Sequence, residues 1–473
     1  MVGRVLHALL LGVAVFLLTF AFAATAQAGA AELWVGQSAG CSDARTPAQA
    51  GSAATPWCTL TRAAAQARGG DTVHVGAGVY RETLRPLSSG TPSAPVTFAA
   101  AAPGVVIDAN GAANGVKMIG VNDIVLDGLE VRGASGQGVW LDATARVTLA
   151  GLTVTGNAGA GVTVKASSQL VVDGSTISGN GGAGIMELAG TSGGRYTDDT
   201  ISGNGIDGLP YNGDGIQLGG VNSLVARDTI TGNGDPGPYE HGVYTGASSS
   251  GWTIEDNTIA DNAAAGVKAA GGPGQVRFNR IEAGRYGIVL SDNPAVVTVE
   301  HNAISGAAQH LVFLTTGTTA ARARLWSNTI DQTGRSADSG DASAVFVNAA
   351  AWLELRDNLI CYSNPDSLGV ALWVNDASRL STLASDTNWF CGTDAKGRDF
   401  AWNGSRTTLD GWRAAARADG RSVDSAPPVF AAGLIVTSAD LGAGVGDNLG
   451  LATDLAGAPI PASGPVDIGA YQR

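Results

Sequence analysis

Aliphatic residues recur along this chain at intervals of 22 to 30 residues. A period of this length is typical of a solenoid, in which each repeat forms one coil and neighbouring coils stack. Because short valine- and isoleucine-rich runs alternate with Gly-Asn turns, each coil is predicted to consist of strands and turns. The aliphatic row comprises Val131, Val154, Ile177, Ile201, Ile230, Ile259, Ile281, Ile304, Ile330 and Ile360.

Asparagines keep step with the aliphatic row. In a stack of parallel strands the same turn position recurs above itself, so an Asn there can bond its own turn and the Asn of the next coil. We therefore predict two structural asparagine ladders. One follows the aliphatic residue by three positions and the other precedes it by two: Asn157, Asn180, Asn204, Asn233 and Asn262, and Asn257, Asn279, Asn302, Asn328 and Asn358.

Four motifs carry a family resemblance. They are GGDTVHVGAGVYRETL (Gly69 to Leu84), the coil DNTIADNAAAGVKA, TTLDGWRAAARADGRSV (Thr407 to Val423) and the terminal DIGAYQ (Asp467 to Gln472). With them the chain resembles the secreted right-handed parallel β-helix proteins of bacteria, the superfamily that contains the pectate-lyase-like enzymes. The resemblance covers nearly the whole mature chain and implies the fold. It does not specify the activity, because one fold supports lyases, hydrolases and epimerases.

The expected fold class is therefore all-β, a right-handed parallel β-helix of about 11 to 12 coils. Residues 29–70 are predicted to form an N-terminal segment whose helix, Thr59 to Arg68, caps the open end of the solenoid. Residues 71–380 form the β-helix. The period fails from about Leu380, so residues 381–473 are expected to hold the last coil or coils and an irregular C-terminal cap.

Residues 1–28 are predicted to be a secretory signal peptide. Arg4 provides the positive start, Leu9 to Ala24 the apolar stretch, and Ala26-Gln27-Ala28 the small-residue cleavage site. The mature protein is thus expected to be secreted, to the extracellular space or the exterior of the cell envelope.

The four cysteines lie outside the regular coils. Cys41 and Cys58 bracket a polar loop before the first helix, and Cys361 and Cys391 bracket the last coils. Two local disulfides fit an oxidising compartment. Pairing the two ends of a long rod is opposed by geometry.

The net charge of −13 argues against nucleic acid and anionic membranes as partners. It also weighs against a polyanionic substrate, although a local basic groove can override the net charge. The expected partner is an extracellular polysaccharide, and the protein is expected to be a monomer.

The coils between Ile201 and Ile259 are each about six residues longer than the regular coil. Insertions in a solenoid often build its binding face. Aligning the glycine before each strand stacks Asp214 beside His241, with Tyr286 two coils further on. The next column then holds Met186, Gln217, Tyr244, Lys268 and Val289, with neighbours about 5 Å apart. His241 and Tyr244 share one surface only if the chain bends near Gly242, because strict alternation sends them to opposite faces.

These residue types suit β-elimination from a uronate polysaccharide, which needs a base, a proton donor and a cation. His241 or Lys268 would be the base and Tyr244 the proton donor. Asp214 completes the catalytic candidates, and Arg285 could pair with the sugar carboxylate. The remaining substrate-binding candidates are Tyr211, Gln217, Tyr239, Glu240, Tyr286 and the stacking platform Trp140.

Two other functions stay open. A glycoside hydrolase would pair Asp214 with Glu240 or Asp207, although the polygalacturonase double-Asp and Arg-Ile-Lys signatures are absent. A non-catalytic carbohydrate-binding or surface protein would use His241 as a turn residue bonded to the backbone. No cofactor is assigned; calcium (Ca2+) stays open because pectate lyases often use it, but the Asp spacing identifies no ligand set.

Overall fold

The computed structural model describes residues 30–206, 213–237, 239–282, 284–293, 295–315, 321–333, 342–363, 369–392, 397–426, 428–436, 444–450 and 452–472. Over these residues the strands, numbered along the chain, form three sheets of 14, 14 and 13 strands. Each coil contributes one strand to each sheet, and equivalent strands of successive coils pair in parallel. The predicted fold class, an all-β right-handed parallel β-helix, is confirmed.

Sheet 1 contains β1 (Glu32–Val35), β2 (Thr72–Val75), β4 (Val96–Ala100), β7 (Asn122–Asp127), β10 (Ala145–Ala150), β13 (Val171–Asp173), β16 (Arg195–Thr197), β19 (Leu224–Ala226), β22 (Trp252–Glu255), β25 (Gly274–Arg277), β28 (Val297–Glu300), β31 (Ala321–Trp326), β34 (Ala350–Arg356) and β37 (Leu383–Asp386).

Sheet 2 contains β3 (Gly78–Tyr80), β5 (Val105–Asp108), β8 (Glu130–Arg132), β11 (Thr153–Thr155), β14 (Thr176–Ser178), β17 (Thr200–Ser202), β20 (Thr229–Thr231), β23 (Thr258–Ala260), β26 (Arg280–Glu282), β29 (Ala303–Ser305), β32 (Thr329–Thr333), β35 (Leu359–Ser363), β38 (Trp389–Gly392) and β41 (Val423–Ser425).

Sheet 3 contains β6 (Asn114–Ile119), β9 (Gln137–Asp142), β12 (Val162–Lys165), β15 (Ile185–Glu187), β18 (Ile216–Leu218), β21 (Val243–Thr245), β24 (Ala265–Ala269), β27 (Tyr286–Leu290), β30 (Val312–Leu314), β33 (Val345–Val347), β36 (Leu372–Val374), β39 (Phe400–Trp402) and the antiparallel β40 (Ser405–Thr407).

The aliphatic row forms the core wall of sheet 2. Its members pair in register from coil to coil, as Ile177 does with Ile201 and Ile201 with Ile230, and all are buried. Because each coil adds one aliphatic residue to this row, the core is continuous along the rod.

Both asparagine ladders are confirmed as hydrogen-bonded stacks. The amide nitrogen of Asn233 donates to Oδ1 of Asn262 at 3.0 Å and to the carbonyl of Ile201 at 3.0 Å. The second ladder repeats the pattern from Asn257 to Asn279 and reaches one coil beyond the predicted row, to Asn388. A buried amide at every rung satisfies turn groups that no water reaches.

Helices close both ends. α1 (Leu60–Gln66) is capped by Thr59, whose hydroxyl accepts the backbone N–H of Arg62 at 3.1 Å, and it buries Leu60 in the core. Beyond residue 380, β37, β38 and β39 complete a further coil before α2 (Leu409–Ala416), whose buried Trp412 lies 5.7 Å from Phe400. Three short 3₁₀ helices span Pro47–Ala50, Ala377–Arg379 and Ala432–Leu434.

The two predicted disulfides are present. Cys41 pairs with Cys58, with Cα atoms 5.0 Å apart, and Cys361 pairs with Cys391 at 4.5 Å. The expectation that all four cysteines lie outside the regular coils is wrong for the second pair: Cys361 and Cys391 are register partners on β35 and β38, so their bridge links two adjacent coils. None of the helices in the described ranges is long and apolar enough to span a bilayer.

Candidate functional site

The site lies where the turns from sheet 2 enter the strands of sheet 3. The predicted columns are both observed there. The backbone N–H of Gly215 bonds to the carbonyl of His241, and that of Gly242 to the carbonyl of Ala265, so Asp214 and His241 occupy the same corner of successive coils. In the second column Gln217 pairs with Tyr244, and Tyr244 with Lys268.

The chain bends at Gly242, and this brings His241 and Tyr244 onto one surface. Their ring centroids are 6.0 Å apart with an interplanar angle of 29°. A Cβ atom at Gly242 would lie 2.6 Å from the carbonyl oxygen of Gly266 and 2.7 Å from Nδ2 of Asn262, so glycine alone fits this corner. His241 and Tyr244 therefore lie together, although strict alternation of side chains along a strand would place them on opposite faces.

His241 is buried and bonded to the backbone of the next coil. Its Nδ1 accepts the N–H of Ala265 at 3.2 Å, and only 3% of the residue is exposed. Burial, with the charge of Lys268 as a smaller cause, lowers the pKa of His241 to about 3. The ring is thus neutral near pH 7, and because Nδ1 is the acceptor its proton is on Nε2.

Asp214 and Glu240 are both buried and both hold turn backbone. Oδ1 of Asp214 accepts the N–H of His241 at 2.7 Å, and Oε2 of Glu240 accepts that of Asp235 at 2.6 Å. Burial raises the pKa of Asp214 to about 8, and the Glu240 charge adds to the rise. Asp214 therefore stays largely protonated at neutral pH.

Tyr244 and Lys268 form the outward part of the site. Nζ of Lys268 lies 5.7 Å from the centroid of the half-buried Tyr244 ring. Burial first, and then the charges of Asp214 and Asp292, raise the pKa of Tyr244 above its usual value of 10. The phenol thus keeps its proton and can serve as a donor.

Two basic side chains, Lys268 beside Tyr244 and Arg285 beside Tyr286, lack acidic partners among the described residues. Within the described part of the chain, no carboxylate lies within 4.0 Å of Lys268 or Arg285. Arg285 instead lies over the ring of Tyr286, 5.4 Å from its centroid. A basic side chain without an acidic partner can bind an anionic group.

Other predicted residues are further away or outside the described chain. Trp140 faces the same side of sheet 3 but lies four coils from Tyr244, roughly 19 Å at ~4.8 Å per coil. Tyr239, 47% exposed, sits on the second enlarged turn. Tyr211 and Asp207 lie outside the described residues, as does the predicted signal peptide.

The two columns continue beyond Gly287 with residues that the sequence pattern did not reveal. His310 occupies the corner position of His241, and its Nδ1 likewise accepts a backbone N–H, that of Ser343, at 3.1 Å. In the second column Val289 pairs with Phe313, and Phe313 with Phe346. The glycine alignment ended at Gly287 because the next coils carry Leu311 and Ala344, so a glycine-based alignment could not reach these residues.

The described residues hold no cluster of three or more His, Cys, Asp or Glu side chains arranged to bind a metal ion. A cleft of about 500 Å³ lies elsewhere, on the outer face of sheet 1, between Trp252, Gln275 and Arg324. We place the site by its chemistry, since the sheet 1 cleft lacks an acid–base pair among its lining residues.

Comparison with known proteins agrees with this architecture. Residues 104–219 and 200–330 match the model of the right handed beta helix region. This chain is a right-handed parallel β-helix protein. A search of curated proteins finds no sequence that matches it significantly.

Solved structures share the fold of this β-helix protein at low sequence identity. The complex of XylC with xylose aligns with a TM-score of 0.56 at 12% identity, over 93% of this chain and 98% of that chain. Pectate lyase Pel9A gives 0.43 at 15% identity, over 94% and 98%. An alginate lyase from Paenibacillus sp. gives 0.41 at 15%, over 66% and 95%. At 12% identity the likeness to the XylC structure shows the fold alone.

Proposed function

We propose that this β-helix protein is a polysaccharide lyase that cleaves uronate chains by β-elimination. The observation that carries the proposal is the pair formed by Tyr244 and Lys268 on adjacent coils of sheet 3. A protonated phenol and an amine stand side by side on an outer face. That arrangement offers a proton donor and a proton acceptor to one bound sugar.

In the proposed reaction Lys268 first releases its own proton to solvent and then, as the neutral amine, removes the proton on the carbon next to the sugar carboxylate. The electron pair of that C–H bond forms the new C=C bond, and the bond to the glycosidic oxygen breaks. Tyr244 donates its proton to that leaving oxygen. Arg285, which has no acidic partner among the described residues, pairs with the carboxylate and stabilises the charge that develops on it.

His241 is not the base in this scheme. Its Nδ1 already accepts the Ala265 N–H, so the neutral ring offers only the Nε2 proton. We assign His241 the role of hydrogen-bond donor to the substrate. Asp214, which holds the backbone N–H of His241, is a positioning residue.

Export of the protein is part of the proposal. The disulfides Cys41–Cys58 and Cys361–Cys391 are typical of proteins from oxidising compartments. A polysaccharide too large to cross a membrane requires an enzyme outside the cell. The predicted signal sequence over residues 1–28 would deliver it there.

One observation favours a second candidate, a glycoside hydrolase. The pKa of Asp214, raised to about 8 beside Glu240, has the character of a general acid in a carboxylate pair. Against it, each carboxylate is buried and accepts a turn N–H. We therefore rank the hydrolase second.

The test is a panel of polysaccharides, uronate and neutral, incubated with purified protein with and without Ca2+. A lyase generates an unsaturated product that absorbs ultraviolet light. Reducing ends without that absorbance indicate the hydrolase and overturn the lyase. Binding without turnover, weakened in Tyr244→Phe, would identify a non-catalytic carbohydrate-binding protein.

A further inference from the structure

An aromatic stripe continues from the candidate site toward the C-terminal end of the rod. It consists of Tyr286, Phe313, Phe346 and Trp373. Ring centroids are 5.5 Å apart for Tyr286 and Phe313, and 5.7 Å apart for both Phe313–Phe346 and Phe346–Trp373. His310 packs behind the stripe, 4.3 Å from Phe346.

The stripe belongs to the outer face of sheet 3. Phe313 stands between Val312 and Leu314, which are fully buried in the core, so its own side chain points outward. Trp373 stands in the same way between two buried neighbours. Phe313 and Trp373 are partly exposed, whereas Phe346 is covered by its neighbours. Tyr286, Phe313 and Trp373 thus present partly exposed rings on this face, with the buried Phe346 packed between the last two.

The stripe is one-sided. Beyond Gln217 in the opposite direction the same column holds Met186 and Thr163 before it reaches Trp140. Toward the C-terminal end it holds Val289 and then three consecutive aromatic residues. A ligand that leaves the site along the rod therefore meets consecutive aromatic rings only toward the C-terminal end.

Within the strand column, charge is found only near the start of the stripe. Lys268 and Arg285 lie beside Tyr244 and Tyr286, while the column from Val289 to Trp373 carries no charged residue. A pyranose ring has an apolar C–H face that packs on aromatic rings, and its length is comparable to the ~4.8 Å between coils. An extended sugar chain with an anionic unit at Lys268 matches both features.

We propose that sheet 3 binds an extended polysaccharide parallel to the rod axis, from a uronate unit at Lys268 to a sugar stacked on Trp373. This rests on the proposed function, because the uronate lies in the site where that function places it. The surface spans five coils, roughly 19 Å at ~4.8 Å per coil, so it accommodates about four to five sugars. Because Phe313, Phe346 and Trp373 form an uncharged half of this surface, affinity depends on the length of the sugar chain and not on further charged units.

The experiment measures binding of oligogalacturonates and oligomannuronates of two, four and six units by calorimetry. For the parent protein, Kd is expected to fall as the oligomer lengthens. Phe313→Ala and Trp373→Ala should each weaken binding of the hexamer by about 10-fold, the scale of one lost aromatic contact. Binding of the dimer should not change. Trp373→Phe, which keeps an aromatic face, should restore most of the affinity.

Trp34→Ala is the control. It removes an outward ring that lies on sheet 1, away from the proposed binding face, and hexamer binding should stay at the parent value. Equal losses in Trp34→Ala and Trp373→Ala would overturn the inference. So would a hexamer that binds no more tightly than a dimer, or a panel in which no oligomer binds.

The measurement is independent of turnover. If the parent protein cleaves nothing but Trp373→Ala still weakens hexamer binding, the lyase proposal fails and the aromatic surface stands. If cleavage is observed and the KM for long chains is unchanged in Phe313→Ala and Trp373→Ala, the lyase stands and the surface is overturned.

Discussion

His241 Nδ1 accepts a hydrogen bond from the backbone N–H of Ala265, one coil further along the rod, at 3.2 Å. The same atom would have to accept a proton if His241 acted as a base. A side chain that the sequence offered as either a catalyst or a turn residue is thus committed to the backbone through one nitrogen. Only Nε2 remains for a ligand, and we assign it a donor role.

A pair of substitutions can distinguish the roles of the two ring nitrogens of His241. His241→Ala leaves the Ala265 N–H unpaired and should lower the free energy of unfolding by about 1–2 kcal/mol. In His241→Asn the side-chain oxygen can accept that N–H, so stability should recover. If Nε2 donates to the substrate, both variants should lose about 10²-fold in kcat.

Denaturant melts and initial rates check this, with His301→Ala as the control. His301 is also buried, but in the corner between sheets 1 and 2, so its loss should leave kcat unchanged. Full activity in His241→Asn would reduce His241 to a structural residue.

Removing the acid–base pair should act on chemistry rather than folding. Tyr244→Phe and Lys268→Ala are each expected to lower kcat by about 10²-fold or more, the usual contribution of general acid–base help. Both side chains lie on the outer face, so thermal midpoints should stay close to that of the parent protein. Activity in both variants at the parent level would place the chemistry elsewhere.

The pKa of Tyr244 predicts the alkaline limb of the pH–rate profile. Burial and the charges of Asp214 and Asp292 raise this pKa above its usual value of 10. Because the proton donor must carry its proton, kcat should decline only above pH 10. A decline centred well below pH 10 in the parent protein would show that Tyr244 is not the donor. In Tyr244→Phe the residual activity should lack this limb.

The asparagine ladder predicts a stability loss. In Asn233→Ala, two amide donations are lost, to Ile201 and Asn262, and the backbone and side-chain N–H groups of Asn204 lose their acceptor. We expect the free energy of unfolding to fall by about 2 kcal/mol. Asn375→Ala, which removes an exposed amide bonded to Asn348, is the control and should have little effect. Equal melting curves for the two variants would contradict the structural role.

Two aspartates occupy positions in the second ladder, and they predict a pH-dependent stability. Oδ1 of Asp228 accepts the backbone N–H of Asp199, while Oδ2 of each is buried with no hydrogen-bond partner among the described residues. Burial raises the pKa of Asp228 to about 9 and that of Asp199 to about 7. Such a group stabilises the fold fully below the unfolded pKa of about 4, and the contribution is lost as the pH rises toward the folded value.

Asp228→Asn should therefore stabilise the protein, by roughly 1–3 kcal/mol at pH 8 and by less at pH 4. The new amide could donate to Oδ1 of Asn257, as the other rungs do. Asp198→Asn is the control, because Asp198 is exposed, is paired with Arg227 and has a lowered pKa. It should show no gain that grows with pH. Urea melts across this pH range measure the difference in the free energy of unfolding between Asp228→Asn and the parent protein. A difference that stays constant or shrinks as the pH rises would contradict the prediction.

The spacing of residues along the chain was enough to predict the coils and which residues stack on one another in successive coils. Ile177 stacks on Ile201, and Asn233 on Asn262, because a parallel β-helix repeats each position one coil later, so spacing along the chain becomes position in space. The disulfides were predicted from local bracketing in the chain, and the structure adds that Cys361 and Cys391 occupy one register position. The columns Asp214–His241 and Tyr244–Lys268 were predictable to the extent that glycines marked them.

The burial, protonation and orientation of the side chains in those columns became known from the folded structure. The repeat places Asp199 and Asp228 two residues before Ile201 and Ile230, but their burial depends on the coils above and below. The hydrogen bond that fixes the tautomer of His241 comes from Ala265 in the neighbouring coil. The bend at Gly242 brings the ring of Tyr244 beside that of His241. The aromatic stripe escaped a glycine-based alignment because Leu311 and Ala344 replace the marker. Burial, protonation and the facing of a side chain depend on neighbours that are distant in sequence, and a repeat pattern does not record them.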